Sequence, residues 1–172
     1  MTKQQILSLI DSDITTNGLG SITGAVLNNV LKSIADEMVD YTEVDLTSPQ
    51  ILSLASTPVQ ILATAGTGSY YDIEKVAIQY DAGTASYAVN GSEFISMMSS
   101  GSSAVFSCPD TLITESVDSI ALRSQSDVGD YNYVSESYNL SMLTSTQSVG
   151  TDPTTGNGTL KVKVWYYNRT FA

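Results

Sequence analysis

Residues 160–171, LKVKVWYYNRTF, decide the fold, because apolar and polar side chains alternate along most of this stretch. Successive side chains of a β-strand point to opposite faces, so a period of two predicts a strand with one buried face. The predicted core face carries Leu160, Val162, Val164 and Tyr166. The opposite face carries Lys161, Lys163, Trp165, Tyr167 and Arg169. The stretch therefore predicts a long strand in a sheet that covers a core.

Further short apolar segments lie upstream, separated by Gly, Ser, Asn or Pro, as the strands of an antiparallel sandwich or barrel are. The predicted strands are residues 59–65, 70–80, 84–90, 92–98, 103–109, 112–113, 118–123 and 135–144. Ser and Thr fill about a quarter of the 172 positions, a bias that suits turns and strands. The sequence predicts a mainly β protein. A short N-terminal helical region, residues 1–43, precedes an antiparallel β-sandwich domain, jelly-roll-like, at residues 44–172.

An amphipathic helix is predicted at residues 22–41, ITGAVLNNVLKSIADEMVDY, after a shorter helix within residues 2–14. Its apolar residues recur at the spacing of a seam between helices: Leu27, Leu31, Ile34 and Met38. We expect these four residues to join copies of the chain into an oligomer. The alternative is that the helix packs on its own β-domain, because a clear coiled coil needs about three to four heptads.

Acidic residues dominate the charge, since 18 acids against seven bases give a net charge of −11. Such a surface repels polyanions, so nucleic acid is not expected as a partner. No apolar run reaches the roughly 18 residues of a membrane span, and no membrane partner is expected. Three bases, Lys161, Lys163 and Arg169, share one face of the last predicted strand. They either pair with acids elsewhere in the chain or face an anionic partner.

Side chains for catalysis and metal binding are scarce. The chain has no His and a single Cys, Cys108, so it lacks the Ser-His-Asp, Cys-His and zinc-ligand sets. Glycine motifs that cradle phosphate are also absent from the sequence. Asp127 and Asp130 could gather oxygens around calcium, or they are solvated loop acids. We therefore expect no enzyme activity, no cofactor and no metal site.

Two segments resemble structural proteins of tailed bacteriophages. Residues 22–34, ITGAVLNNVLKSI, resemble the N-terminal segments of phage fibre-type proteins. Residues 48–87, SPQILSLASTPVQILATAGTGSYYDIEKVAIQYDAGTASY, resemble the small β-domains of head-fibre and decoration proteins. The resemblance implies a homotrimeric virion component on the capsid surface, anchored to other virion proteins such as the capsid protein. It transfers no catalytic residue.

The expected function is that of a non-enzymatic head fibre or capsid-decorating protein. Two alternatives stay open. The first is a tail-fibre-type receptor- or carbohydrate-binding module that contacts a host surface glycan through tyrosine-rich clusters. Those clusters are Tyr70-Tyr71, Tyr131 with Tyr133, and Trp165-Tyr166-Tyr167. The second is a glycosidase that uses a pair of carboxylates.

Overall fold

The computed structural model describes residues 5, 7–8, 24–36, 38–90, 93–99, 104–124, 137–144 and 148–170. Internal contacts divide the chain into two compact units, Met1–Tyr41 and Thr42–Ala172. The first unit contains the amphipathic helix, and the second contains the β-domain. Each unit is described separately below.

The N-terminal unit contains helix α1, Gly24–Asp36. Gln5, Leu7 and Ser8 are also helical, within the short first helix that the sequence predicts. The prediction that the second helix continues to residue 41 is wrong, because α1 ends at Asp36 and residues 40–46 form a strand. Aromatic and β-branched side chains in DYTEVDL favour a pleated strand, and its place beside another strand overrides the helical spacing. Met38 therefore lies beyond the end of the helix.

Eight strands and two short helices follow in the described part of the chain. The strands are β1 Asp40–Leu46, β2 Val59–Leu62, β3 Ser69–Asp81, β4 Glu93–Ser99, β5 Ala104–Pro109, β6 Ser119–Ser124, β7 Tyr138–Thr144 and β8 Thr159–Thr170. The helices are α2, Ser48–Ile51, and α3, Thr111–Thr114. The strand predicted from residues 160–171 is β8, the second longest of the eight.

The strands form two four-stranded sheets, in the orders β1-β8-β3-β6 and β2-β7-β4-β5. Strand neighbours are nested along the chain: β1 lies beside β8, β2 beside β7, β3 beside β6 and β4 beside β5. A chain that doubles back once and then rolls up gives this order, which is that of an eight-stranded jelly roll. The predicted fold class, a mainly β protein with an antiparallel sandwich, is confirmed.

The core lies between the two sheets. From the first sheet, β3 and β8 pair Val76 with Val164, Ile78 with Val162 and Tyr80 with Leu160, and all six side chains are buried. The second sheet contributes fully buried residues of β4, β5 and β7: Ile95, Met97, Phe106, Tyr138, Leu140 and Met142. The alternation of β8 thus places its predicted core residues as expected, with Tyr166 partly buried at the core's edge.

Two predicted strands are wrong. Residues 84–90 form a loop whose backbone bonds reach α3 and the loop before β8, since Tyr87 N donates to Ile113 O and Thr154 N donates to Ala88 O. The apolar alternation there reflects the buried Tyr87 and the partly buried Val89, which pack on the core from a loop. The Tyr87 hydroxyl donates to Gly158 O at 2.8 Å. Residues 112–113 lie in α3, because a helical turn buries both neighbours where a strand would point them apart.

Candidate functional site

The exposed apolar stripe of α1 is the first candidate surface. Leu27, Val30 and Ile34 are 41%, 51% and 58% exposed, and Leu31 between them is half-buried. At about 100° per residue, these four side chains span roughly a third of the helix circumference. Asn29 and Ser33 are exposed as well, and the Ser33 hydroxyl donates to Asn29 O at 2.9 Å. The helix is therefore amphipathic, with apolar side chains open to solvent.

The predicted seam residues do not all share this helix. Leu27, Leu31 and Ile34 lie on α1, whereas Met38 lies in a bend where its N–H donates to Ala35 O at 3.1 Å. Met38 is also exposed, at 42%. A seam built from α1 therefore has three of the four predicted residues, and Val30 adds to it.

The outer face of the β1-β8-β3-β6 sheet is the second candidate surface. Trp165 of β8 has two cations near its ring: Lys75 Nζ is 4.9 Å and Lys163 Nζ is 5.3 Å from the ring centroid. Two residues further along β8, the Tyr167 ring lies 4.5 Å from the guanidinium of Arg169. A cation over an aromatic face is attracted by the ring quadrupole. The face thus combines half-buried aromatic rings with ammonium and guanidinium groups.

Acids of β1 neutralise part of this face. Lys161 lies 3.5 Å from Glu43 and 3.6 Å from Asp45, and Lys163 lies 3.6 Å from Glu43. The carboxylates of Asp45 and Glu43 raise the pKa of Lys161 above its usual value. These pairs are solvent-exposed and contribute little to stability. Of the two interpretations of the basic strand face, pairing with acids therefore holds for Lys161 and Lys163.

The tyrosine clusters divide between core and surface. Tyr71 is buried and packs edge-on against Tyr166, with ring centroids 4.9 Å apart, and against Tyr138 at 6.1 Å. Burial raises the pKa of Tyr71. Tyr131 and Tyr133 lie outside the described residues. Tyr70, Trp165 and Tyr167 are then half-exposed aromatic residues of these clusters on the described sheet face, where a ligand could reach them.

The buried carboxylates among the described residues accept hydrogen bonds from backbone N–H groups. Glu93 Oε1 accepts from Thr151 N at 2.9 Å, and Asp110 Oδ2 accepts from Glu93 N at 3.2 Å. Among the described residues, no three His, Cys, Asp or Glu side chains come together as metal ligands would. Asp127 and Asp130, predicted either to bind calcium or to be solvated loop acids, lie outside the described residues. Glycosidase chemistry thus gains no support from these carboxylates.

Sequence reasoning missed a third surface, at the β6 edge of the same sheet. Val117, Ile120 and Leu122 are 62%, 65% and 49% exposed. Beside them lies a shallow depression of about 340 Å³, lined by Gln79, Asp118, Ser119 and Ile120. Alternation in SIALRS would place Ile120 and Leu122 on a core face, but Ala121 is the one that packs against the core. Only the position of β6 beside β3 shows which face is outward.

Comparisons with known proteins give little. No family model matches the chain, and no curated protein matches it. One matching solved structure is titled "Cyanophage Pam1 capsid asymmetric unit". It is 15% identical, with a TM-score of 0.44, and the match covers 76% of this chain and 83% of that chain. A likeness at this level carries no argument about function. Among the described residues, no helix has the length and hydropathy to cross a bilayer.

Proposed function

We propose that this protein is a non-enzymatic structural component of a bacteriophage virion, a homotrimeric head fibre or capsid-decorating protein. The observation that carries the proposal is the exposed apolar stripe of α1. The phage assignment comes from the resemblance of residues 22–34 and 48–87 to phage fibre and decoration proteins. The jelly roll is compatible with it, since viral capsid domains use this fold, but lectins use it too.

The stripe needs a partner for energetic reasons. A helix of 13 residues is marginal in water on its own, so α1 requires packing of its apolar face. Burying a whole Leu, Val or Ile side chain contributes about 1.5–3 kcal/mol. Leu27, Val30 and Ile34 are about half exposed, so covering them contributes roughly 1 kcal/mol each. Three helices from three copies supply that cover to one another, and the β-domains remain free to face outward.

The first test is the mass of the full chain in solution. Three copies of 18.3 kDa predict about 55 kDa by light scattering. We expect Ile34→Asp to give monomers, because a charge in a helix seam loses hydration without a partner. Asn29→Asp adds the same charge on the opposite side of α1 and should leave the trimer intact. A chain that is monomeric at all concentrations, or an Ile34→Asp trimer, would contradict assembly through α1.

The second test concerns the virion. Antibodies against the β-domain should label the capsid surface in electron micrographs of particles from the phage that encodes the chain. Label on the tail would contradict a capsid location, and absence from purified particles would contradict the virion role altogether. Mass spectrometry of those particles gives the number of copies per capsid protein.

A receptor- or carbohydrate-binding module is the second candidate, and the half-exposed ring of Trp165 favours it. Sugars stack on such rings, although Lys75 and Lys163 already lie over this one. Binding to a glycan array that is lost in Trp165→Ala and kept in Tyr41→Ala would support this function. If the trimer binds no glycan on the array, the carbohydrate-binding function is excluded.

A further inference from the structure

Aromatic and charged side chains alternate on the part of the outer sheet face where β3 lies beside β8. Three facing pairs form this surface, which we call the aromatic strip: Lys75 with Trp165, Asp72 with Tyr167, and Tyr70 with Arg169. All six side chains are partly exposed. At 3.3–3.4 Å per residue, the strip runs for about 13 Å along β8 from Trp165 to Arg169. It therefore offers several rings in a row to solvent.

An irregularity in the register directs Lys75 toward Trp165. The pairing of β3 with β8 shifts between Ile73 and Lys75, so Glu74 is an extra residue on β3. Ile73 faces the core, and unbroken alternation would turn Lys75 to the core as well. The extra residue reverses the phase, so Val76 is buried and Lys75 Nζ lies 4.9 Å from the Trp165 ring centroid. Bulges next to functional sites re-aim side chains in this way.

Cations also restrain the rings of the strip. Lys75 and Lys163 lie near the Trp165 ring, and the Arg169 guanidinium lies 4.5 Å from the Tyr167 ring. Each contact is attractive, because the ring face carries partial negative charge. A side chain that is already restrained loses less conformational freedom when a ligand binds. The strip is thus partly preorganised.

The charge balance of the strip indicates which class of ligand it fits. Lys75 and Arg169 are balanced by Asp72 and the exposed Glu74, although the whole chain carries a net charge of −11. The rest of the surface repels an anionic polymer, and a cationic one would bind where acids are in excess. A hydroxyl group both donates and accepts hydrogen bonds, so it suits ammonium, guanidinium and carboxylate groups alike. Sugar rings combine such hydroxyls with apolar faces that stack on aromatic rings.

We propose that the aromatic strip binds an uncharged oligosaccharide of two or more sugar rings. Trp165 and Tyr167 stack on its rings. Its hydroxyls bond to Lys75, Asp72 and Arg169. This inference rests on the second candidate of the proposed function, the carbohydrate-binding module, and gives that module its site and its ligand class. It needs no contact between copies, since the six residues lie on two paired strands of one chain.

The test measures binding of soluble neutral hexasaccharides to the full chain by isothermal titration calorimetry. The probes are cellohexaose, maltohexaose, mannohexaose and N-acetylchitohexaose, and we expect at least one to bind. Its dissociation constant should rise at least tenfold in Trp165→Ala and in Tyr167→Ala. Phe94→Ala, which removes a partly exposed ring from the other sheet, should stay within twofold of wild type. Far-ultraviolet circular dichroism and a cooperative thermal transition check that each variant is folded.

Lys75→Met provides a further variant, because it keeps an unbranched side chain and removes the ammonium group. We expect it to raise the dissociation constant at least threefold. Affinity for the neutral hexasaccharide should change by less than twofold between about 0.05 and 0.5 M NaCl, since a neutral ligand is not attracted through charge. Hexagalacturonic acid, the acidic probe, should bind at least tenfold more weakly. Tighter binding of the acidic probe, weakening as salt rises, overturns the neutral class.

The remaining outcomes separate this inference from the virion role. It is overturned if no neutral hexasaccharide binds, or if binding is unchanged in folded Trp165→Ala and Tyr167→Ala. Label on the capsid surface would then leave the virion role standing. A chain that binds a neutral hexasaccharide through the strip but is absent from purified particles upholds the inference and contradicts the virion role.

Discussion

At the scale of single residues, Asp152 connects two parts of the chain that lie far apart in sequence. Its Oδ1 accepts hydrogen bonds from Ala55 N at 2.7 Å and from Ser56 N at 3.0 Å. Burial acts to raise the pKa of Asp152, but the bonds from Ser56 and Ala55 together lower it. The folded state therefore favours the carboxylate, and the loop before β8 is fixed to the segment after α2.

This lowered pKa predicts a pH-dependent contribution to stability. A carboxyl whose pKa is lower in the folded state stabilises the fold above its unfolded pKa, near 3.8, and less as pH falls through the folded value. Asp152→Asn should lower the free energy of unfolding by about 1–2 kcal/mol at pH 7, because charge-assisted bonds are lost. The difference from wild type should shrink toward zero at a pH below the folded pKa, measured by urea denaturation. Glu74→Gln, an exposed control, should change it by less than about 0.5 kcal/mol at either pH.

The residues of the sheet face show what the sequence alone could predict. Alternation in residues 160–171 placed Lys161, Lys163 and Trp165 on the outer face. It could not show that Glu43 lies within reach of both lysines, because that contact depends on β1 becoming the neighbour of β8. Nor could it show that Lys75 of β3 reaches the Trp165 ring. Long-range pairing, and not local pattern, creates the mixed charge of this face.

At the scale of elements, the loop that precedes β8 depends on a close approach at Gly156. Its backbone has φ +117°, and a Cβ there would lie 2.5 Å from the Tyr87 ring. Tyr87 is buried beneath this loop, and the Ser48 hydroxyl donates to Gly156 O at 3.0 Å. Neither a positive φ nor so short a contact suits a residue with a side chain.

Gly156→Ala should therefore destabilise the β-domain more than a glycine change without the contact. We expect a loss of about 3 kcal/mol or more in the free energy of unfolding, from backbone strain plus displacement of the Tyr87 ring. Gly66→Ala is the matched control, since Gly66 has φ +99° with nothing near its absent Cβ. It should cost about 1–2 kcal/mol, from strain alone. Equal losses in thermal or urea melts would show that the Tyr87 contact has no effect.

Element boundaries were predictable where pattern and pairing agree. β3, β6, β7 and β8 lie where short apolar segments placed strands, but in β6 the apolar residues Ile120 and Leu122 lie on the exposed face. The strand predicted at residues 84–90 was wrong because a loop that buries Tyr87 shows the same apolar alternation as a strand. The predicted helix at residues 22–41 ran too long, since helical spacing continues into residues that β1 uses. The apolar residues of α1 and of β6 look alike in sequence to core residues, and only exposure distinguishes them.

At the scale of the whole molecule, association of copies should depend on salt. Each copy carries a net charge of −11, and the contact proposed for α1 is apolar. Salt screens the repulsion between copies within a Debye length of about 10 Å at 0.1 M and about 3 Å at 1 M. The trimer dissociation constant should therefore fall as NaCl rises from about 0.05 to 0.5 M. A rising constant in ultracentrifugation would instead indicate that ion pairs hold the copies together.

The sequence predicted the layers of the β-domain but not its strand order. Eight or so short strands with a hydroxyl-rich composition predict two packed sheets, and the domain has two sheets of four. The strand orders depend on which strands meet after the chain rolls up, and local sequence patterns do not predict those pairings. The two orders are β1-β8-β3-β6 and β2-β7-β4-β5. The exposure of Ile120 and Leu122 depends on this order, because it makes β6 an edge strand.

The nested pairing has a consequence for how the domain is made. β1 has its neighbour in β8, more than a hundred positions later, so the mean separation of contacting residues is large and folding is expected to be slow. While the chain emerges from a ribosome, β3 cannot complete its pairing until both β6 and β8, its partners on either side, have been synthesised. The first sheet cannot close before the last strand has left the exit tunnel. Until then, open strands and apolar surface are exposed to aggregation, and chaperones should protect this interval.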